Sequence, residues 1–366
     1  MSTQDNQQRA QLALLSEQIK TWGRELGFQQ LGITDANPGV HSGYLRDWLQ
    51  KKLHGEMHYM AERESLRANP AQLHPNTLRV ISARMDYLPP DVETVKLLDH
   101  PSKAYISRYA LGRDYHKLIR KRLKALSDNI IDYCQQQSIA SDQPLSQRPF
   151  VDSAPVLERA FAEKAGLGWI GKNTMLINSR VGSWFFLGEL LTNLPLPVDE
   201  AQQSKHCGSC TACLDICPTH AFNAAFELDA RKCISYLTIE LKGSIPEALR
   251  PLIGNRVFGC DDCQLICPWN KFAKTTSEKD FGPRHGLDNA ELIELFLWTE
   301  QEFDSRTNGS PIKRIGYQRW LRNIAVGLGN SDRLAAGDTI SALQSKLGIS
   351  PLVDEHIHWA IEQLQQ

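Results

Sequence analysis

The stretch HCGSCTACLDICPTHAF, residues 206–222, sets Cys207, Cys210, Cys213 and Cys217 in the run Cys-x2-Cys-x2-Cys-x3-Cys, closed by Pro218. A second run follows in GNRVFGCDDCQLICPWN, residues 254–270, as Cys260-x2-Cys263-x3-Cys267 closed by Pro268. Thiolates so spaced hold cubane [4Fe–4S] clusters, and in two-cluster ferredoxins the fourth cysteine of such a run ligates the other cluster. Zinc sites also use Cys-x2-Cys pairs, but the longer run closed by proline is the cubane pattern. The two runs supply seven cysteines where two cubanes need eight. Cys233, in RKCISYL between the runs, completes the set. Cys134 lies far upstream in the helical IDYCQQQ and reads as a small semi-buried apolar residue. The expected ligands are Cys207, Cys210, Cys213 and Cys267 for one cluster, and Cys217, Cys233, Cys260 and Cys263 for the other.

Outward from this segment, the chain has 366 residues, 42% apolar and 23% charged, room for two or three domains. Its formal charge of −1 gives no global mark of a nucleic-acid binder, so any such case rests on local charge. The opening MSTQDNQQRAQ has neither the apolar core of a secretory signal nor a twin-arginine pair. The most apolar stretch, WFFLGELLTNLPLP, is broken by Glu189 and prolines, so no membrane span is expected. Eight of nine cysteines at metal-ligand spacing fit a reducing compartment, and a cytoplasmic protein is expected.

Before the cysteines, residues 9–27 have helical periodicity, and FQQLGIT and RVISARMDYLPP read as strands. A long helix starts near Asp114 and runs through HKLIRKRLKALSDNIIDYC. PFVDSAP reads as a short strand and turn, VLERAFAEKAGLG as a helix stopped by glycine, and NTMLIN and SWFFLGEL as strands. The alternation up to about residue 200 predicts an α/β domain. From about 287 the chain reads as helices alone: AELIELFLW, IKRIGYQRWLRNIAVGLG, DTISALQSKLG and LVDEHIHWAIEQL. Gly166-Leu-Gly168-Trp-Ile-Gly171 matches G-x-G-x-x-G but follows a helix and precedes a strand, the reverse of a dinucleotide fingerprint. The near-Walker pattern fails where Asn173 replaces the magnesium-binding hydroxyl. The glycines serve as a helix stop or let backbone approach a bulky ligand closely.

PFVDSAPVLERAFAEKAGLGWIGKNTMLI, GSWFFLGELLTN and KCISYLTIE, together with both cysteine runs, resemble epoxyqueuosine reductase. The likeness runs in order from about residue 10 to the end. It implies a cobalamin-dependent iron–sulfur enzyme that reduces epoxyqueuosine to queuosine at the tRNA wobble position, the last step of queuosine biosynthesis. It implies an α+β multidomain fold: residues 1–200 an α/β cobalamin-binding catalytic domain like that of reductive dehalogenases, 201–280 a ferredoxin-like domain, and 281–366 a HEAT-like helical tRNA-binding region. By the same match Asp152, in Val151-Asp152-Ser153, is the acid for the departing oxygen, which requires burial to raise its pKa. Without the match, an Asp before a turn reads as a cap or turn residue.

Arg159, two helical turns beyond Asp152, is expected in the same pocket. Arg63, Ser153, Lys172 and Asn173 are the other expected corrinoid contacts. The cobalamin motif D-x-H-x-x-G is broken because Ile119 stands at its glycine, so base-off cobalamin is expected and His116 is structural or a substrate contact. Two basic runs fit tRNA phosphate: Lys103, Arg108, Arg113, Lys117, Arg120, Lys121, Arg122 and Lys124, then Lys313, Arg314, Arg319 and Arg322 with Tyr317 and Trp320 interleaved for base stacking. The expected partners are tRNA bearing epoxyqueuosine and an external low-potential electron donor, and the expected state is a monomer. A reductive dehalogenase acting on a small molecule is the alternative. It commonly carries a twin-arginine signal and has no use for basic C-terminal helices.

Overall fold

The computed structural model describes residues 3–90, 92–139, 143–201, 206–332 and 336–366. Met1 and Ser2 of the polar opening lie outside the described residues, as do 202–205 at the expected boundary near 200. The architecture is mixed helix and sheet with a cysteine-rich segment between the sheet and the last helices.

A four-stranded sheet organises the first part, with Gln30–Asp35, Arg79–Asp86, Phe185–Thr192 and Gln147–Phe150 side by side in that order. Every neighbouring pair in it is antiparallel, whereas helix–strand alternation predicts parallel pairing. The Arg79–Asp86 and Gln147–Phe150 strands do run the same way, but the Phe185–Thr192 strand inserts between them antiparallel to both. Side chains alternate across the two middle strands. Ile81, Ala83, Met85, Phe186 and Leu190 join one core with Leu15 and Ile19 of the Thr3–Glu25 helix and with the Tyr115–Gln136 helix. The opposite face, carrying Ser82 and Glu189 directly across from one another, meets the Glu158–Lys164 helix.

The Tyr115–Gln136 helix begins where the sequence places it, because the Asp114 carboxylate accepts the His116 amide at 3.1 Å as an N-cap. Ile119, Leu123, Leu126, Ile130 and Cys134 bury one stripe of it, and each large aliphatic contributes about 1.5–3 kcal/mol. Lys117, Arg120, Lys121 and Lys124 stay on the other stripe, toward solvent. Gly166 adopts φ +77° and stops the Glu158–Lys164 helix. A Cβ on Gly168 would lie 2.2 Å from the Ile177 carbonyl, so that close approach is to the chain's own neighbouring strand.

The last helices Leu292–Leu297, Gly316–Gly329, Ala336–Gln344 and Pro351–Gln365 fall on the stretches read as helical, and Glu300–Arg306 is a further helix between the first two of those stretches. Their core is continuous with residues of the cysteine segment, such as Ile234, Leu237, Val257 and Phe258, and with Ala104 and Ile106 upstream. Packing therefore crosses the expected boundary at 281. Among the described residues, no helix is long and apolar enough to cross a membrane.

Candidate active site and cluster segment

Two short helices, Ala212–Asp215 and Asp262–Leu265, sit in the two cysteine runs and pack together. Cys207, Cys210, Cys213 and Cys267 line one cavity of about 310 Å³, with Trp269 and Phe272 beside them. That is the first expected ligand set. Burial and the neighbouring thiols Cys207, Cys267 and Cys210 push the Cys213 thiol up to about 11. Cys263 faces Cys233 and Cys217, and burial pushes the thiols of Cys263, Cys233 and Cys260 up. Cys210 is exposed whereas Cys233, Cys260 and Cys263 are deeper, so the first set lies outward and the second inward. Cys134 is buried in the sheet core, far from both.

Two residues expected at the corrinoid are instead braces for these loops. Lys172 donates to the Gly208 carbonyl at 2.7 Å and the Cys210 carbonyl at 2.9 Å. Asn173, only 3% exposed, donates to the Cys263 carbonyl at 3.1 Å and accepts from the Met175 amide. Their amide and ammonium groups donate to backbone carbonyls of the cysteine runs. Asp261 ties the second run to the first domain by accepting from Tyr105 Oη at 2.6 Å, Ser107 Oγ at 2.5 Å and the Arg108 amide at 2.8 Å.

Asp152 lies in the turn before the Glu158–Lys164 helix with φ +48°. Its Oδ2 accepts from Tyr115 Oη at 2.5 Å and lies 3.1 Å from His116 Nε2. His116 Nδ1 is 2.6 Å from Asp114 Oδ1, and Arg314 pairs with Asp114 Oδ2 at 2.9 Å. Tyr115 is held between the His116 ring, stacked at 4.2 Å, and the Phe186 ring, stacked at 3.9 Å. Burial pushes the Asp152 carboxyl up, but the hydrogen bonds from His116 and Tyr115 outweigh it and hold the group below its ordinary value. Burial works against a charge on His116, yet the bonds to Asp114 and Asp152 win and raise it. The expectation of a raised Asp152 is thereby corrected: Asp152 is held below its ordinary value beside a His116 that its carboxylate neighbours raise and the Arg314 guanidinium, 2.9 Å from Nδ1, opposes.

Asp152, Tyr59 and Arg159 are reached by solvent, yet desolvation is the leading influence on all three, as at a concave surface, the hollow of this site. Burial, then the charges of Glu240 and Asp152, push Tyr59 up to about 12. Glu240, from the cysteine segment, is raised by burial and by Asp152. Tyr109 feels both Asp152 and Asp261, and its ring lies 6.3 Å from Tyr115 and 6.2 Å from Phe258. The hollow is thus walled by the sheet domain, the cysteine segment and, through Arg314, the last helices. Arg159 bonds the Thr174 carbonyl at its wall, and the Ser153 hydroxyl turns back to the Val151 carbonyl at 3.4 Å. Arg63 is exposed at the junction of two short helices, His58–Glu62 and Glu64–Ala68.

The basic runs divide. Arg113, Lys117, Lys121, Lys313 and Arg314 line one cavity of about 560 Å³, so both runs contribute to a single basic surface beside the hollow. Arg319 and Arg322 do not join it. Arg319 bonds the Ile315, Ile239 and Arg314 carbonyls, and Arg322, 0% exposed, bonds those of Leu241, Gly243 and Leu237. Trp320 is buried and Tyr317 donates to the Trp298 carbonyl, so neither is free to stack on a base. In the first run, Arg108 lies over the Trp184 ring and Arg122 pairs with Glu278.

Comparison with known proteins decides the family. A curated epoxyqueuosine reductase of Pseudomonas aeruginosa is 60% identical over 358 residues, covering 98% of this chain and 96% of that protein. The chain belongs to the epoxyqueuosine reductase family. The Escherichia coli epoxyqueuosine reductase is 56% identical over 95% of this chain and 89% of its own length. The family model "Epoxyqueuosine reductase QueG, DUF1730" matches residues 67–153, and the model "4Fe-4S double cluster binding domain" matches residues 206–270. Among solved structures, a Bacillus subtilis epoxyqueuosine reductase with its catalytic aspartate loop swung out of the active site is similar at TM-score 0.81 and 26% identity, over 96% of this chain and 91% of that one. An epoxyqueuosine reductase with a tRNA-Tyr epoxyqueuosine-modified stem loop matches at TM-score 0.77 and 25% identity, over 97% of this chain and 100% of that one.

Proposed function

We propose that this chain reduces epoxyqueuosine to queuosine on tRNA, with two [4Fe–4S] clusters as an electron conduit and cobalamin in the hollow around Asp152. The observation that carries the reading is the adjacency of that hollow to the second cysteine run through Tyr109. Family membership and the stem-loop complex of a relative support the substrate. The relatives cited above carry the reductase name, which leaves the dehalogenase alternative without support.

The ligand sets are Cys207, Cys210, Cys213 and Cys267 for the outer cluster, and Cys217, Cys233, Cys260 and Cys263 for the inner one. The division at 200 and 280 is one of function: a reductive-dehalogenase-like cobalamin domain, a ferredoxin-like conduit, and a HEAT-like region that helps carry tRNA. The chain works as a cytoplasmic monomer fed by an external low-potential donor.

The lining fits a large corrinoid. Tyr59 and Tyr109 would offer it aromatic surface, and Asp152, Ser153 and Arg159 are the polar groups that would hold its amides. Both nitrogens of His116 are engaged by carboxylates, which supports base-off binding without a histidine on cobalt. When bound, the corrinoid supplies low-potential, nucleophilic metal chemistry suited to an epoxide.

The overall change takes two electrons and two protons, breaks both carbon–oxygen bonds, forms a ring alkene and releases water. Asp152 supplies a proton to the oxygen that leaves carbon. Substrate in the hollow displaces water and raises the carboxyl toward its neutral form, and His116 beside it holds the proton that passes to Oδ2. Arg314 fixes Asp114, which fixes His116.

Anaerobic reconstitution with iron, sulfide and cobalamin, followed by assay with a low-potential chemical reductant on a stem loop bearing epoxyqueuosine, tests the reading. Queuosine should form only when all three are supplied. Undiminished conversion without cobalamin would remove the corrinoid from the reaction.

A further inference from the structure

The rim of the outer cysteine cavity carries a charge that the chain as a whole lacks. Cys210 is the one exposed cysteine, and Gly208, Ser209 and Thr211 around it are exposed as well. Lys172 reaches this loop, where it donates to the Gly208 and Cys210 carbonyls. Lys271 lines the same cavity, exposed, with its ammonium 4.8 Å from the Phe272 ring centre. Lys274 is exposed three residues on. Arg180 is exposed in the turn at 178–182, which rests on Asn270, whose side chain accepts the Ser183 amide at 2.7 Å.

Acids are scarce in the same stretches. Residues 166–184 contain none, and 206–226 contain only Asp215, which accepts the Thr211 hydroxyl at 2.7 Å. In the second cysteine run Asp261 and Asp262 are buried, the first bonded to Tyr105 and the second paired with Arg256. Glu278 pairs with Arg122 and Asp280 with Arg113. Four cations therefore stand in these stretches beside a single exposed carboxylate outside an ion pair, in a chain of net charge −1.

We propose that this rim is the docking surface of the electron donor, a small acidic protein that gives up one electron at a time. The inference rests on the assignment of Cys207, Cys210, Cys213 and Cys267 to the outer cluster, and it gives the external donor of that reading a charge and a place.

The physical case is one of encounter. Electron transfer between two proteins needs their redox centres brought close, and Cys210 brings the outer set to the surface. Opposite charge around such a spot raises the rate of productive encounter by roughly ten- to a thousandfold. A small, charge-guided interface also releases its partner quickly, as a carrier that must leave after each electron requires. Each encounter oxidises the carrier by one electron and reduces the outer cluster by one, and no proton moves. Two encounters supply the two electrons that the epoxide consumes. An RNA phosphate would also be drawn to these cations, but the rim surrounds an exposed cluster ligand, for which RNA binding has no use. Lys117, Lys121 and Lys313, beside the hollow, line a separate cavity.

Stopped-flow bleaching of the clusters in the reconstituted full chain reads the docking. One reductant is an acidic flavodoxin in its hydroquinone form, and the other is reduced methyl viologen, a cation. Flavodoxin should reduce wild type at a rate that falls steeply with salt. The triple variant Arg180→Glu, Lys271→Glu, Lys274→Glu should slow flavodoxin at least about tenfold, while viologen reduces it as fast as wild type or faster. Iron content and stem-loop affinity should stay at wild-type values, and glutamine at the three positions should give a smaller loss. A salt-independent flavodoxin rate, equal rates in variant and wild type, or no reduction of wild type by flavodoxin while viologen works would each overturn the proposal. So would a matching loss of stem-loop affinity, which would give the rim to RNA. Clusters that bleach with either reductant yet never convert substrate would count against the reductase reading and leave the docking result standing.

Discussion

His116 bridges two carboxylates, with Nε2 3.1 Å from Asp152 Oδ2 and Nδ1 2.6 Å from Asp114 Oδ1. A neutral imidazole satisfies only one of them as a donor, whereas an imidazolium satisfies both. The two carboxylates raise the His116 pKa despite burial, while the Arg314 guanidinium 2.9 Å from Nδ1 opposes a charge there, so the bridge favours a proton on the ring beside the carboxylate that the reaction needs as an acid.

The bridge has a measurable pH signature. Because the folded His116 pKa is raised, its contribution to stability is fully present below the ordinary value of 6.5 and is lost as pH rises through the folded value. Thermal melts of wild type should lose stability from this source as pH rises above the ordinary histidine value of 6.5 into mild alkali. His116→Gln should flatten that dependence and slow turnover roughly tenfold or more while both clusters remain. An unchanged pH dependence of melting in the variant would show that His116 carries no extra proton.

The basic surface predicts how tRNA affinity responds to salt. Neutralising Lys117, Lys121 and Lys313, which line one cavity, should weaken stem-loop binding and make its salt dependence shallower, by about 0.7–0.9 in slope for each phosphate these side chains neutralise. Cobalamin content should not change. Arg322→Ala should behave differently: it strips a buried guanidinium from carbonyls of Leu237, Leu241 and Gly243 and should cost about 3 kcal/mol of stability. Salt-independent binding in wild type would take this surface out of the interface.

Cluster stoichiometry separates the nine cysteines. Reconstituted wild type should hold about eight irons and eight sulfides. Cys233→Ala should lose the inner cluster, while Cys134→Ala, buried in the sheet core, should keep both. Lower iron in Cys134→Ala with full iron in Cys233→Ala would reverse the assignment.

The cysteine runs and long helices are legible in the sequence because their signals are local: fixed spacings, a 3.6-residue period, an N-cap at Asp114. Helical spacing likewise points Arg159 toward Asp152, and the two charges do sense each other in the fold. The partnership of Asp152 with Tyr115 and His116 is not legible, since it joins residues some 37 positions apart through folding of the sheet. Glu189 does leave a signal, a single carboxyl inside the apolar WFFLGELLTN, which marks a buried acid once that stretch is read as a central strand. Arg319 and Arg322 mislead because a linear run of charge does not tell a solvated face from one that caps the carbonyls of a neighbouring loop.

The most direct test of the account is single turnover by Asp152→Asn on a stem loop bearing epoxyqueuosine. Asparagine keeps the shape of the side chain and much of its hydrogen bonding but cannot give up a proton. The variant should retain both clusters, cobalamin by absorbance and stem-loop affinity, yet convert substrate at least about a hundredfold more slowly. Near-normal turnover with all cofactors present would contradict the assignment of Asp152 as proton donor, and loss of cobalamin from the variant would make it a binding residue instead.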